Sequence, residues 1–150
     1  MYQGKSRRPA RSRTEAIEAI LPAKRAAAVL HQQHGRFEIY NFLKSIHRIY
    51  RTWERQRVAK VSARTLADEM NIVRRKGMSP IRVLIEATLP DADLKEKSRW
   101  VRALEYLASE DVPTQEFKRF IRANGGLAGC ARLAAEVNRK RRRPGGDWND

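Results

Sequence analysis

The chain has 150 residues, enough for one domain with extended ends, and its 41% hydrophobic content is enough for a real core. Its 32 Lys+Arg against 17 Asp+Glu give a formal net charge of +15, and a single cysteine, Cys130, excludes a disulfide framework and a cysteine-based metal site. No run approaches the roughly 18 apolar residues of a transmembrane helix, and the opening MYQGKSRRPARSR lacks the apolar core of a secretory signal. A cytoplasmic protein is the simplest expectation. Arg outnumbers Lys 23 to 9, which fits the codon usage of a GC-rich bacterial genome, so the net charge and not the Arg excess bears on the partner. Self-repulsion at that charge opposes compaction, and a polyanion relieves it. Nucleic acid is therefore the expected partner. An anionic membrane ranks second on charge, but without a spanning segment no membrane partner is expected.

In chain order, residues 1–13 carry Lys5, Arg7, Arg8, Arg11 and Arg13 with no acid, and read as a disordered basic arm. Helical periodicity begins near Thr14, is interrupted at Pro22 and runs to Gly35. A long helix is predicted over about 36–59, and a short one over 63–70 with Ser62 as its cap. Residues 71–79 read as a loop, after which Ser79-Pro80 opens a helix in the preferred way, a cap followed by proline at the first position. The body of that helix, IRVLIEAT, is apolar almost all round and reads as a central buried element. Pro90 ends it, and Asp91 or Asp93 caps a helix over about 93–109. Pro113-Thr114 begins another, stopped by Asn124-Gly125-Gly126, and a last helix spans about 127–139. No segment alternates with period two over a useful length. The expected fold is all-α: a compact bundle of six or seven helices over 14–138, with a basic arm before it and a basic, then Gly/acidic, tail over 139–150.

The stretch SARTLADEMNIVRRKGMSP, residues 62–80, opens like a helix-turn-helix. Ala67 takes the small position, Leu66 and Met70 face inward, Asn71 suits a left-handed turn, and Ile72 follows as the apolar anchor. The second half departs from the pattern. Gly77 falls where an apolar packing residue belongs, and Pro80 would sit inside the recognition helix, where it costs about 3 kcal/mol. On the helix starting at Pro80, only Arg82 and Glu86 are left to reach a base. The favoured reading is a short helix bearing Arg64, followed by a basic loop, Arg74-Arg75-Lys76-Gly77, suited to phosphates.

On a helical wheel, Ile39, Phe42, Leu43, Ile46, Ile49, Tyr50 and Trp53 of the long helix fall within one third of the circumference, as a core stripe. Lys44, Arg48, Arg51 and Arg55 fall together opposite, flanked by Tyr40 and His47, with Phe37 in line at the helix start. Each close cation pair there costs roughly 0.2–0.5 kcal/mol, and Glu38 and Glu54 lie elsewhere on the wheel. A basic face about 17 Å long matches a run of phosphates. Only Phe37 and Tyr40 are placed to stack on bases. Arg139, Lys140 and Arg141 of the tail add cations, whereas residues 86–111 carry seven acids against four bases, a net −3.

Catalytic patterns are absent. GKS at 4–6 lacks the glycine-rich loop of a phosphate cradle, and GGLAG at 125–129 reads as a helix stop and restart. His31 and His34 precede Glu38 but are interrupted by Gly35, so no metal is expected. Cys130 lies among small apolar residues, without the electropositive opening a nucleophile needs. Neither an enzyme nor a cofactor is expected. The expected function is binding of double-stranded DNA, favoured over RNA, as a regulator or accessory factor acting through phosphates. The alternatives are RNA binding and a non-catalytic adaptor or inhibitor whose basic face meets an acidic protein.

Overall fold

A computed structural model describes residues 13–142, and the side chains of 13–141. Residues 1–12 of the expected basic arm and 143–150 of the expected tail lie outside the described residues. The described chain is all-helical, with eight α-helices where sequence periodicity implies six or seven: α1 (Arg13–Ala19), α2 (Leu21–Gln32), α3 (Arg36–Arg55), α4 (Ala59–Glu69), α5 (Pro80–Thr88), α6 (Leu94–Ser109), α7 (Phe117–Ala123) and α8 (Gly126–Arg142). The extra helix comes from a break at Ile20. The interruption expected at Pro22 thus falls two residues earlier, and Pro22 lies in the first turn of α2, where its missing N–H has no intrahelical partner to lose.

The helices fall into two compact units, one up to Ala92 and one from Asp93. The segment read from sequence as one helical domain, 14–138, spans both.

In the first unit α2 packs along α3, α4 packs against α1 and α5, and α3 also packs against α5. Phe42, Leu43, Ile46, Ile49 and Trp53 of the predicted stripe are buried, while Ile39 and Tyr50 at its edges are half-buried. His47, placed by the wheel beside the cations, is buried instead. α5 is the central element expected of it, with Ile81, Val83, Leu84, Ile85 and Ala87 all buried. Its start is as predicted: Ser79 Oγ accepts from the Arg82 N–H at 3.2 Å, and Pro80 is the first helical residue.

Two boundaries differ from the sequence reading for one reason. The chain leaves α3 through Arg57, in the left-handed region at φ 60°, with the Val58 N–H bonded to the Trp53 carbonyl at 3.0 Å and the Arg57 N–H to Glu54 at 3.0 Å. This Schellman closure stops α3 at Arg55 and restarts the chain as α4 at Ala59. Ser62 is consequently not a cap. It lies inside α4, fully buried, and its Oγ has no hydrogen-bond partner among the described residues. The same closure ends α4, with Asn71 at φ 57° as the sequence predicted and the Ile72 N–H bonded to the Ala67 carbonyl at 2.8 Å.

In the second unit α6 lies along α8, and α7, entered through a single 3-10 turn at Thr114–Glu116, packs on α8. Asp93, of the two candidate caps, holds the start of α6, its carboxylate accepting from the Glu96 N–H at 3.2 Å. The α7–α8 turn allows close approach because residue 129 is glycine: a Cβ there would overlap the Asn124 carbonyl oxygen. The last helix outruns its predicted end at 139. Arg139–Arg142 continue α8 instead of fraying, because Arg and Lys are strong helix formers and cations at a helix C-terminus oppose its dipole.

Candidate nucleic-acid interface

The cations of α3 do not form one uniform face. Arg51 is mostly buried and donates from Nη1 to Glu54 Oε1 at 2.9 Å, so Glu54, set apart on the wheel, does reach it. The two residues are three apart, a spacing at which helical side chains meet. Arg48 is exposed and Lys44 half-buried, and neither has an acidic partner among the described residues. Arg55 is exposed and, among the described residues, donates only to the Thr52 hydroxyl, at 3.2 Å. Tyr40 is half-buried, whereas Phe37 is 63% exposed. Beyond the exposed Arg36 at its start, the outward charge of α3 is thus carried by Lys44, Arg48 and Arg55.

That charge continues past the end of the helix. Arg57, forced outward in the left-handed turn, Lys60 in the first turn of α4 and Arg64 one turn later are all exposed and lack an acidic partner among the described residues. Lys60 and Arg64 are four apart and share a helix face. No side chain caps the start of α4, so its leading amides add the positive end of a helix dipole to the same corner. Arg57 and Lys60 escaped the sequence reading because it ran α3 on to residue 59 and began α4 at 63. Their signal was available: six residues spanning 55–60 hold three cations and no acid.

Residues 70–79 connect α4 to α5, a gap far longer than the three or four residues of a helix-turn-helix turn. Nothing in it is helical, so no recognition helix follows Asn71. Arg74, Arg75 and Lys76 are all exposed, and Arg74 Nη2 lies 3.9 Å from Asp68 Oδ1 across the loop. The Met78 N–H bonds back to the Arg75 carbonyl at 3.0 Å, with Gly77 at φ 79° in the third position of the turn, where a positive φ favours glycine. The conformation therefore accounts for Gly77 without a ligand. On α5, Arg82 Nε is 3.2 Å from Glu86 Oε2, so the two polar residues available to read a base pair with each other.

Arg139, Lys140 and Arg141 are exposed on the last turns of α8, in the second unit. In that unit Cys130 is buried, and burial pushes its thiol from the ordinary 9.0 up to about 11, so thiolate is scarce at neutral pH. Among the described residues no three His, Cys, Asp or Glu side chains cluster to hold a metal ion. No described helix is long and apolar enough to cross a membrane. Comparison with family models, curated proteins and solved structures finds no match to this chain, so the functional reading rests on its own residues.

Proposed function

We propose that the chain binds nucleic acid, double-stranded DNA in preference to RNA, through phosphate contacts made by α3 and the α3–α4 corner. The observation that carries this reading is the run of exposed cations Arg48, Arg55, Arg57, Lys60 and Arg64, which follows two consecutive helices and the turn between them without an acidic partner among the described residues. Cations fixed at helical spacings on rigid elements suit a regular phosphate backbone. Lys44 and the loop residues Arg74, Arg75 and Lys76 extend the charge, and Arg139, Lys140 and Arg141 supply further contacts. Sequence readout is limited, since α5 spends Arg82 on Glu86 and no recognition helix is formed. Phe37 is a single exposed aromatic on α3, short of the stacking platform that binding of single strands uses. In this reading the protein acts in the cytoplasm as a regulator or accessory factor of DNA.

The test is the salt dependence of binding to a random-sequence duplex and to single-stranded RNA of equal length. Five phosphate contacts give a log–log slope of about −4.5 on duplex, at about −0.9 per phosphate. Duplex affinity that does not change with salt would end the proposal. Tighter binding to the RNA, or release of nucleic acid in favour of a stoichiometric acidic protein, would transfer the site to one of those partners.

A further inference from the structure

The seam between α6 and α8 contains an open groove of about 310 Å³, lined by Arg99 and Arg102 of α6 and by Ala128, Ala131, Arg132 and Ala135 of α8. The groove exists because of the residues at those positions. Ala128, Ala131 and Ala135 lie on one stripe of α8, at i, i+3 and i+7. Each side chain stops at Cβ, so the seam is not filled. Arg99 and Arg102 are three apart on α6 and border the same space. The Arg132 guanidinium lies beside Gly129 and Gly125, its Nη2 3.7 Å and 3.8 Å from where a Cβ would stand on each, ordinary contact distances. All three arginines are exposed, and none has an acidic partner among the described residues. Three arginines thus border a small-residue floor, although two of them come from a stretch of sequence with net negative charge.

We propose that this groove binds a phosphomonoester carried on a flat or apolar body of about nucleotide size. The planar guanidinium fork matches phosphate oxygens in pairs, and a phosphomonoester near neutral pH carries close to two negative charges. Three cations bordering one groove, two from α6 and one from α8, favour the arrival of such a group. The alanine methyls offer nothing to a bare ion but cover the face of a ring, and the volume lies at the small end of ligand sites. This site is in the second unit and does not depend on the duplex-binding reading of α3.

Adenosine 5′-monophosphate is the probe, titrated into the full chain by calorimetry, with adenosine and inorganic phosphate beside it. One equivalent of the nucleotide is expected to bind, with either fragment about tenfold weaker or worse. The double variant Arg102→Gln/Arg132→Gln should weaken the nucleotide about tenfold or more. Arg48→Gln/Arg55→Gln removes the same charge from the first unit and should leave the nucleotide unaffected while weakening duplex binding, so the two proposals fail separately. Ala128→Leu keeps every charge but narrows the groove, and should weaken the nucleotide more than inorganic phosphate. A tetranucleotide with and without a 5′-phosphate identifies the source. If the phosphorylated strand binds tighter than the free nucleotide and loses its advantage in Arg102→Gln/Arg132→Gln, the ligand is a strand end; the reverse order assigns a free nucleotide. No binding of the nucleotide, binding no tighter than inorganic phosphate, or equal loss in the two double variants would overturn the site.

Discussion

Arg48 and Arg51 stand three residues apart on one helix, carry the same charge and should behave differently on DNA. Arg48 is exposed without an acidic partner among the described residues, so on contact with a phosphate it displaces a condensed counterion. Arg51 is tied to Glu54 at 2.9 Å with only 18% of its side chain exposed, and its charge is already met within the protein. If wild type makes five phosphate contacts, raising salt fourfold should lower duplex affinity about 500-fold, and Arg48→Gln, with four contacts, should lose only about 150-fold over the same range. Its log–log slope should be shallower by about 0.9. Arg51→Gln/Glu54→Gln removes the ion pair at constant net charge, and its slope should equal that of wild type. Fluorescence anisotropy on one labelled random duplex, read at several salt concentrations with far-UV circular dichroism to verify folding, measures all three. A slope unchanged in Arg48→Gln would show that α3 does not touch the phosphates. An equal fall in the two variants would show that the Glu54 pair opens on binding.

Net charge and geometry separate in a second comparison: removing residues 1–12 and 143–150 deletes five cations and two acids and leaves +12, close to the +11 of Arg48→Gln/Arg55→Gln/Lys60→Gln/Arg64→Gln. The four-site variant should lose far more duplex affinity than the truncation, and the opposite order would assign binding to the ends. Trp53 is 2% exposed and Leu84 fully buried, so Trp53→Ala should cost about 3–5 kcal/mol and Leu84→Ala about 2–5 in urea denaturation; parental melting of either would refute the packing of α3 and α5. Gly129→Ala drives a methyl into the Asn124 carbonyl, a rigid backbone neighbour, and should destabilise by about 1–3 kcal/mol, whereas parental stability would mean that the α7–α8 turn yields. Because the Cys130 thiol titrates at about 11 when folded against an ordinary 9.0, the unfolded chain loses this proton first, so folding stability falls as pH rises from 9 to 11. Wild type should lose more stability over that window than Cys130→Ala, and identical pH profiles would refute the shift.

The all-helical class, the central α5 and the start signals at Ser79-Pro80 and at one of Asp91 or Asp93 were legible in the sequence, because they depend on local periodicity and on side chains bonding their own backbone within three residues. The left-handed turn at Asn71 was legible for the same reason: asparagine tolerates that φ intrinsically. Arg57 makes the same turn with no such preference. Backbone bonds from Val58 to Trp53 and from Arg57 to Glu54 close it, and no residue preference announces them, so the end of α3, the start of α4 and the interior position of Ser62 were hidden from the sequence. The candidate interface divides along the same line. Wheel geometry places Lys44, Arg48, Arg51 and Arg55 on one side, since spacing along a rigid helix is fixed by 1.5 Å and about 100° per residue. Whether a cation on that side is free depends on what its rotamer meets, and only the folded helix shows Arg51 held by Glu54. The α6–α8 groove was beyond local reading altogether. Arg99 and Arg102 sit in a segment of net −3, and their meeting with Arg132 across about thirty residues is a product of helix packing, which no periodicity in either helix specifies.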